Sequence, residues 1–223
     1  MLWDPRKARN EAAPPGAALA DNGQVFPTKA LRKFVGSLTS REAPVLLDLG
    51  PCVGSNVAFF GERLGCKILI EDLFADLERH SRNGATPFAE VLAGRLKHQP
   101  ESVDGILCWN FLDFLEPKAA QVLGRALTKL LRPEGALLGF FATVPVADAR
   151  FVKYVILDED TLKQKPYAGG GKKQAAMQNR DIIKMFEGLK VAESFLLKTN
   201  VREFLFRKPV SAASAVVRGY CSG

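Results

Sequence analysis

The sequence is poor in the side chains that bind transition metals, with 2 His and 4 Cys among 223 residues. No two cysteines are spaced as a metal knuckle or a redox CxxC pair, and adding His80 and His98 completes no zinc pattern. We therefore predict no metal site. Free thiols in apolar runs pack as small hydrophobic groups, a usage typical of a reducing compartment. The cysteines in such runs are Cys52, Cys66 and Cys108.

Long apolar runs are also lacking. No segment reaches the roughly 18 uncharged apolar residues of a membrane helix, so we predict no membrane partner. Basic residues near the start are followed by Pro14, Pro15 and Gly16 instead of a continuous apolar stretch, which does not resemble a signal peptide. The expected location is cytoplasmic.

The composition is that of one globular domain, with 47% hydrophobic and 25% charged residues. The net charge of +7 is compatible with an anionic partner such as a nucleic acid. No nucleic-acid-binding motif accompanies it, so a nucleic acid is a possible partner that no motif supports. The sequence indicates no oligomeric state. Ala, Pro and Gly dominate the start, and small residues dominate the end. We therefore predict a flexible leader (1–24), a domain (25–208) and a flexible tail (209–223).

Apolar runs and helical patterns alternate along the middle of the chain. This alternation predicts an α/β fold with a Rossmann-like, mostly parallel sheet covered by helices on both faces. Two final runs around a polar turn predict a C-terminal antiparallel hairpin. Residues 161–178 are predicted to be a polar, glycine-rich loop. The predicted strands are 45–49, 67–70, 103–109, 136–142 and 152–157, with the hairpin at 190–197 and 201–206.

The turn after the first of these strands carries two glycines, Gly50 and Gly54, and leads into a helix. Glycine lets a ligand approach the backbone, and the free N–H groups of a helix start can hold a carboxylate or phosphate. The dinucleotide pattern G-x-G-x-x-G fails, because Cys52 and Ser55 stand at its glycine positions. P-loop and nucleophile-elbow patterns are not present either.

Two carboxylates follow strand ends in this region. Asp48 precedes the glycine turn, and Glu71 ends the next predicted strand, followed by Asp72. A carboxylate at that position accepts strong hydrogen bonds from both hydroxyls of a ribose. The combination of turn and carboxylate indicates a nucleoside site more specifically than either feature alone.

These motifs resemble the class I S-adenosylmethionine-dependent methyltransferases. Residues 48–54 match the family's first motif, acidic-x-Gly-x-Gly-x-Gly, in all but the middle glycine. Residues 102–110 resemble its fourth-strand motif, and 127–138 resemble the helix, turn and strand that follow. The closing hairpin is also as in that family. The resemblance implies S-adenosylmethionine as cofactor, bound by Asp48, Gly50, Pro51, Cys52, Gly54, Asn56, Glu71, Asp72, Trp109 and Asn110.

Two departures from the family pattern stand out. Cys52 replaces a glycine, and its Cβ narrows the approach to the cofactor, while Pro51 stiffens the turn. The family's third strand ends in an acid that faces the adenine, but the corresponding Leu92 and Ala93 lie in a helical pattern. A sheet with a reduced or missing third strand is therefore predicted, and no adenine pocket is assigned.

Candidates for catalysis are few. Asn110 and Asp113 follow the fourth strand of the family pattern, but a solvated face or a helix cap explains Asp113 at least as well. A basic segment supplies a candidate substrate loop that closes over an anionic substrate, with a solvated loop as the alternative. Its predicted contact residues are Tyr167, Lys172, Lys173 and Arg180.

The resemblance implies methyl transfer to an acceptor that the sequence does not identify, with a small molecule slightly favoured. The alternative is a non-catalytic protein of the same fold that binds RNA or a protein partner. A reductase is the third hypothesis, and the failed dinucleotide spacing argues against it.

Overall fold

The structure is a computed structural model that describes residues 23–145, 151–167 and 176–210. The predicted leader and tail lie almost entirely outside these residues. Gln24, placed in the leader, belongs instead to the first strand.

The described residues form nine strands and six α-helices. The strands are β1 (Gln24–Pro27), β2 (Val45–Asp48), β3 (Lys67–Ile70), β4 (Val103–Trp109), β5 (Leu131–Ala142), β6 (Val152–Asp158), β7 (Thr161–Pro166), β8 (Lys190–Leu196) and β9 (Val201–Arg207). The helices are α1 (Ala30–Thr39), α2 (Gly54–Val57), α3 (Leu73–Asn83), α4 (Phe88–Arg95), α5 (Pro117–Leu130) and α6 (Asn179–Met185). A π-helix (Ala58–Arg63) continues α2, and a 3-10 turn (Phe111–Phe114) follows β4.

The main sheet has six strands in the order β3-β2-β4-β5-β9-β8. The first four strands are parallel, while β9 runs antiparallel to both of its neighbours. The predicted mostly parallel sheet with a terminal antiparallel hairpin is thus confirmed. Between β3 and β4 the chain forms α3 and α4 and no strand, so the predicted loss of the third strand is also confirmed.

Adjacent residues of the central strands pack on opposite faces of the sheet, as the two-residue period of a strand requires. Leu46 and Leu107 face α1, whereas Leu47 and Ile106 face the layer of α3, α4 and α5. All seven residues of β4 are buried. Because helices cover both faces of such a central parallel strand, both sets of its side chains are buried, and its sequence is a nearly continuous apolar run.

A second, three-stranded sheet has the antiparallel order β1-β7-β6. The predicted loop at 161–178 is therefore wrong over its first residues, because Thr161–Pro166 pairs with both β1 and β6. Only one apolar residue of β7 is buried, Leu162, which packs with Phe26 and Tyr154. The strand owes its conformation to neighbours far along the chain.

The carboxyl ends of β2, β3 and β4 meet at one edge of the main sheet. The order in which strands are added to the sheet reverses at β2, since β3 lies on one side of it and the next strand, β4, lies on the other. Such a switch point opens a crevice where ligands of α/β sheets bind. Within the described residues, no helix combines the length and the apolar character needed to cross a membrane.

Candidate functional site

Asp48 occupies the centre of the edge at the end of β2. The residue is 7% exposed, and its Oδ1 accepts hydrogen bonds from the Gly50 backbone N–H at 2.8 Å and from Trp109 Nε1 at 2.6 Å. Burial raises the pKa of Asp48 to about 6, against the lowering effect of those two hydrogen bonds. The carboxylate is therefore an anion at neutral pH, although its desolvation is costly.

Trp109 holds a backbone conformation that is rare for a large side chain. Its φ is +47°, and the pairing of β4 with β5 shifts register between Leu107 and Trp109. A non-glycine residue in the left-handed region stores strain and persists only where the surrounding packing enforces it. Here the indole is buried and stacks on Tyr154 of β6, with ring centroids 5.1 Å apart and planes 5° from parallel.

The indole of Trp109 also explains Gly50. A Cβ at position 50 would lie 2.6 Å from Cδ1 of Trp109, so no larger residue fits without movement of the ring. The sequence predicted that Gly50 makes room for a cofactor. In this structure the space over Gly50 is filled by the protein's own tryptophan instead.

The other end of the turn is open. A Cβ at Gly54, the first residue of α2, would meet nothing within 4 Å. Cys52 is exposed, whereas Pro51 is buried. Free space for a ligand at the turn thus lies beside Gly54 and not over Gly50.

Glu71 follows β3 and lies directly beside Asp48, since its backbone N–H donates to the Asp48 carbonyl at 2.8 Å. Its carboxylate has two neighbours that carry N–H donors. His98 Nε2 is 2.8 Å from Oε1, and Arg95 forms an ion pair with Oε2. Arg95 also donates to Asp76 at 2.7 Å. Sequence reasoning missed Arg95, at the end of α4, and His98, just after it, because nothing local links this part of the chain to the end of β3.

Asp72, the next residue, joins α3 to the second sheet. Its Oδ1 caps α3 by accepting the Ala75 N–H at 3.1 Å, and its Oδ2 accepts the hydroxyl of Tyr167 at 3.3 Å. The predicted substrate residue Tyr167 is thereby brought to the predicted cofactor edge. Burial, reinforced by the charge of Asp72, raises the pKa of Tyr167.

Asn56 is 3% exposed and ties α2 to the edge of β6. Its Nδ2 donates to the Tyr154 carbonyl at 2.7 Å, and its Oδ1 accepts the Ile156 N–H at 2.8 Å. This geometry gives Asn56 a structural contact that the sequence did not predict, and its cofactor contact stays a prediction. No local pattern identifies such a role, since β6 lies far along the chain.

Two buried polar residues follow β4. Asn110 is 5% exposed, and its Oδ1 has no hydrogen-bond partner among the described residues. Asp113 is 6% exposed, and its Oδ2 accepts the Ala142 N–H at the end of β5 at 3.0 Å. The sequence suggested a solvated face or a helix cap for Asp113, and both interpretations are wrong. Its carboxylate joins the 3-10 turn to β5.

Among the other predicted residues of the substrate loop, the structure describes only Arg180, and its ion pair is with a neighbour on α6 rather than with a residue of this edge. The Arg180 side chain on α6 is 80% exposed and pairs with Asp181 at 3.6 Å. Lys172 and Lys173 lie outside the described residues. Lys153 of β6, absent from the prediction, lies 4.9 Å from the ring centroid of Tyr167.

A mainly apolar cleft of about 240 Å³ opens between α3, α4 and the start of α5. None of the predicted site residues lines it. Its walls include Leu77, Phe88, Phe114, Leu115 and Ala119, with His80 and Lys118 among the polar groups.

No family model and no curated protein matches the chain. Solved structures that are similar include a Burkholderia thailandensis 1,6-didemethyltoxoflavin-N1-methyltransferase with S-adenosylhomocysteine (17% identity, TM-score 0.45, 81% of this chain and 79% of that chain). Others are the CcbJ methyltransferase from Streptomyces caelestis (17%, 0.47, 80% and 93%) and the [4+2]-cyclase SpnF (11%, 0.49, 81% and 80%).

The strand order, the switch point and the antiparallel closing hairpin are those of a Rossmann-like α/β fold, the architecture that the resemblance to the class I methyltransferases implied. A fold of this kind hosts more than one activity, so function has to be argued from the site.

Proposed function

We propose that the chain binds S-adenosylmethionine at the carboxyl edge of β2, β3 and β4 and transfers its methyl group to a small molecule. One observation carries the proposal. Asp48 and Glu71 stand side by side at the ends of adjacent parallel strands, on the switch point of the sheet and next to a glycine turn.

The described residues fit this cofactor. Both oxygens of Glu71 already have partners, His98 and Arg95, so the two ribose hydroxyls would donate to the remaining lone pairs of this carboxylate. The free space beside Gly54 leaves the backbone of the turn accessible. The unpartnered, buried Oδ1 of Asn110 suits the ammonium group of the methionine part, because a buried acceptor without a partner is costly. Bound S-adenosylmethionine would supply an electrophilic methyl group, whose bond to sulfur breaks with the electron pair staying on sulfur as the acceptor's lone pair forms the new bond.

The protein's own contribution is positioning. Displacement at a methyl carbon is accelerated by holding the two reactants in line and close together. The Trp109–Tyr154 stack forms a rigid wall beside the turn, and the Tyr167–Asp72 hydrogen bond holds the second sheet against the same edge. A small acceptor suits an edge that is partly covered in this way.

Calorimetric titration of S-adenosylmethionine and S-adenosylhomocysteine into the purified protein tests the proposal. We expect micromolar binding, and a loss of about 1.5–3 kcal/mol in Glu71→Ala, the scale of a hydrogen bond to a charged group. Asp76→Asn is the matched control, because it removes the other carboxylate partner of Arg95 and leaves Glu71 in place.

We expect Glu71→Ala to weaken binding and Asp76→Asn to leave it unchanged. That result would justify a screen of methyl acceptors with S-adenosylmethionine that carries a labelled methyl group. If the wild-type protein binds neither compound, the proposed function is wrong. The filling of the space over Gly50 by Trp109 then argues for the non-catalytic alternative.

A further inference from the structure

Glu71 meets two side chains from a distant part of the chain at the carboxyl end of β3. The three residues, Glu71, Arg95 and His98, are called the Glu71 cluster below. All three are half-buried. Interactions of charged groups in such positions are screened less by water and salt than those at a fully exposed surface.

The two partners of Glu71 approach different oxygens of its carboxylate. His98 Nε2 lies 2.8 Å from Oε1, and Arg95 forms its ion pair with Oε2. A carboxylate only accepts, so Nε2 of His98 carries the hydrogen of this bond. With one donor on each oxygen, the carboxylate cannot rotate without breaking a bond. One accepting site is left on each oxygen.

Arg95 is itself held in place. Its Nε donates to Asp76 of α3 at 2.7 Å, so two carboxylates fix the plane of the guanidinium group. An amide at position 76 still offers an oxygen to this N–H, so Asp76→Asn retains the bond. Leu92 lies three residues before Arg95 on α4 and is 2% exposed in the core. Burial of α4 therefore determines where Arg95 lies.

Both donors come from the connection between α3 and β4. In the family pattern this connection contains the third strand, whereas here it contains α4 and no strand. Arg95 is the last residue of α4, and His98 follows it. The part of the chain that departs from the family pattern thus contacts the carboxylate at the proposed cofactor edge.

The accepting sites left on Glu71 suit a vicinal diol. A ribose carries two neighbouring hydroxyls, and these can donate together to the two oxygens of one carboxylate. A carboxylate that is fixed before the ligand arrives loses less conformational entropy on binding. The Glu71 cluster therefore presents a preorganised acceptor pair.

We propose that Arg95 and His98 are positioning residues for the cofactor. They hold Glu71 so that its two oxygens accept both ribose hydroxyls, and the site thereby selects a ribose that carries both. This inference rests on the proposed function. It adds two residues that belong neither to the glycine turn nor to a strand end.

The test is calorimetry with S-adenosylhomocysteine and its 2′,3′-dideoxy analogue, which lacks both ribose hydroxyls. The wild type should bind the analogue about a hundredfold more weakly, the scale of two hydrogen bonds to a charged group. Arg95→Gln and His98→Ala should each weaken S-adenosylhomocysteine about tenfold and leave the affinity for the analogue unchanged. The preference for the complete ribose then narrows to about tenfold.

The ratio of the two affinities separates positioning from a merely structural role. A structural loss weakens both ligands alike and leaves the ratio at its wild-type value. His98→Gln keeps an N–H donor and should restore most of the preference that His98→Ala loses. Arg82→Gln is the matched control for Arg95→Gln, because it removes the same charge from an arginine that pairs with Glu78 within α3.

The inference is overturned if Arg95→Gln and His98→Ala keep the wild-type ratio, or if the wild type does not distinguish the two ligands. It is also overturned if either variant binds S-adenosylhomocysteine more tightly, because the side chain then competes with the ribose for Glu71. In each of these cases the wild type still binds the cofactor product. Failure of the wild type to bind S-adenosylhomocysteine is a separate result that removes the proposed function, and this inference with it.

Discussion

The indole N–H of Trp109 and the backbone N–H of Gly50 donate to the same oxygen, Oδ1 of Asp48, at 2.6 and 2.8 Å. This shared acceptor joins the end of β4 to the turn after β2. Because Trp109 also stacks on Tyr154, the turn, the central strand and the second sheet are connected through one side chain.

Trp109→Phe should lower the free energy of unfolding by about 1–3 kcal/mol, since a buried carboxylate loses one of its donors. A phenyl ring keeps most of the stacking surface on Tyr154, so the effect reports chiefly on the hydrogen bond. Urea denaturation measures it. The loss should shrink in an Asp48→Ala background, which removes the acceptor, and equal losses in both backgrounds would contradict the proposed coupling.

The two glycines of the turn should respond differently to alanine. Gly50→Ala places a Cβ 2.6 Å from the indole, and overpacking of this kind costs about 1–3 kcal/mol of stability. Gly54→Ala meets no atom within 4 Å, and its stability should stay within about 0.5 kcal/mol of wild type.

The same Gly54→Ala variant should bind S-adenosylhomocysteine more weakly, because its methyl group enters the space left for the cofactor. Thermal unfolding and calorimetry of both variants separate the two effects. Undiminished binding by Gly54→Ala would show that the ligand does not pass beside this residue.

Stability should depend on pH through Asp48. Its pKa rises from an ordinary 3.8 to about 6 on folding, so the folded state holds a proton that the unfolded chain has already lost. The contribution of Asp48 protonation to the free energy of unfolding is therefore fully present below about pH 4. It is lost as the pH rises to about 6, which lowers the free energy of unfolding by up to about 3 kcal/mol.

Asp48→Asn removes this titration while retaining an oxygen for both donors. Its stability relative to wild type should increase between pH 4 and pH 7, measured by urea denaturation across that range. Glu42→Gln, at an exposed carboxyl group, provides the comparison. A constant difference between Asp48→Asn and wild type would mean that Asp48 titrates normally.

Asn56→Ala should destabilise the contact between α2 and β6 by about 1–3 kcal/mol, because it leaves the buried Ile156 N–H without its acceptor. Asn56→Asp keeps an oxygen for that N–H but loses the donor to Tyr154, so it tests the two bonds separately. Hydrogen exchange at Ile156 is the direct measurement. Faster exchange is expected in Asn56→Ala, whereas unchanged exchange would show that β6 is held by other contacts.

The parallel strands were predictable because their signal is local. The runs at β2, β3 and β4 are short and apolar, and each ends in polar or glycine residues, so the observed bounds agree closely with the prediction. The missing third strand was predictable for the same reason, since Leu92 lies in a helical pattern.

The second sheet was not predictable in full. β7 has one buried residue, Leu162, among lysines and a glutamine, and this local pattern is typical of a polar loop. The segment is a strand because it pairs with β1 on one side and β6 on the other. Its partner β1 precedes it by more than a hundred residues, and pairing over such a separation leaves no trace in a local window.

Composition, strand periodicity and the glycine turn by themselves determined the class of fold, and they indicated the edge at which we propose that the cofactor binds. The tertiary structure alone decided what surrounds that edge: the indole over Gly50, the amide of Asn56 on β6, the side chains of Arg95 and His98 beside Glu71, and Lys153 over Tyr167. Each of these contacts joins residues distant in sequence, and their positions follow from packing of the whole chain and not from the preference of any one segment.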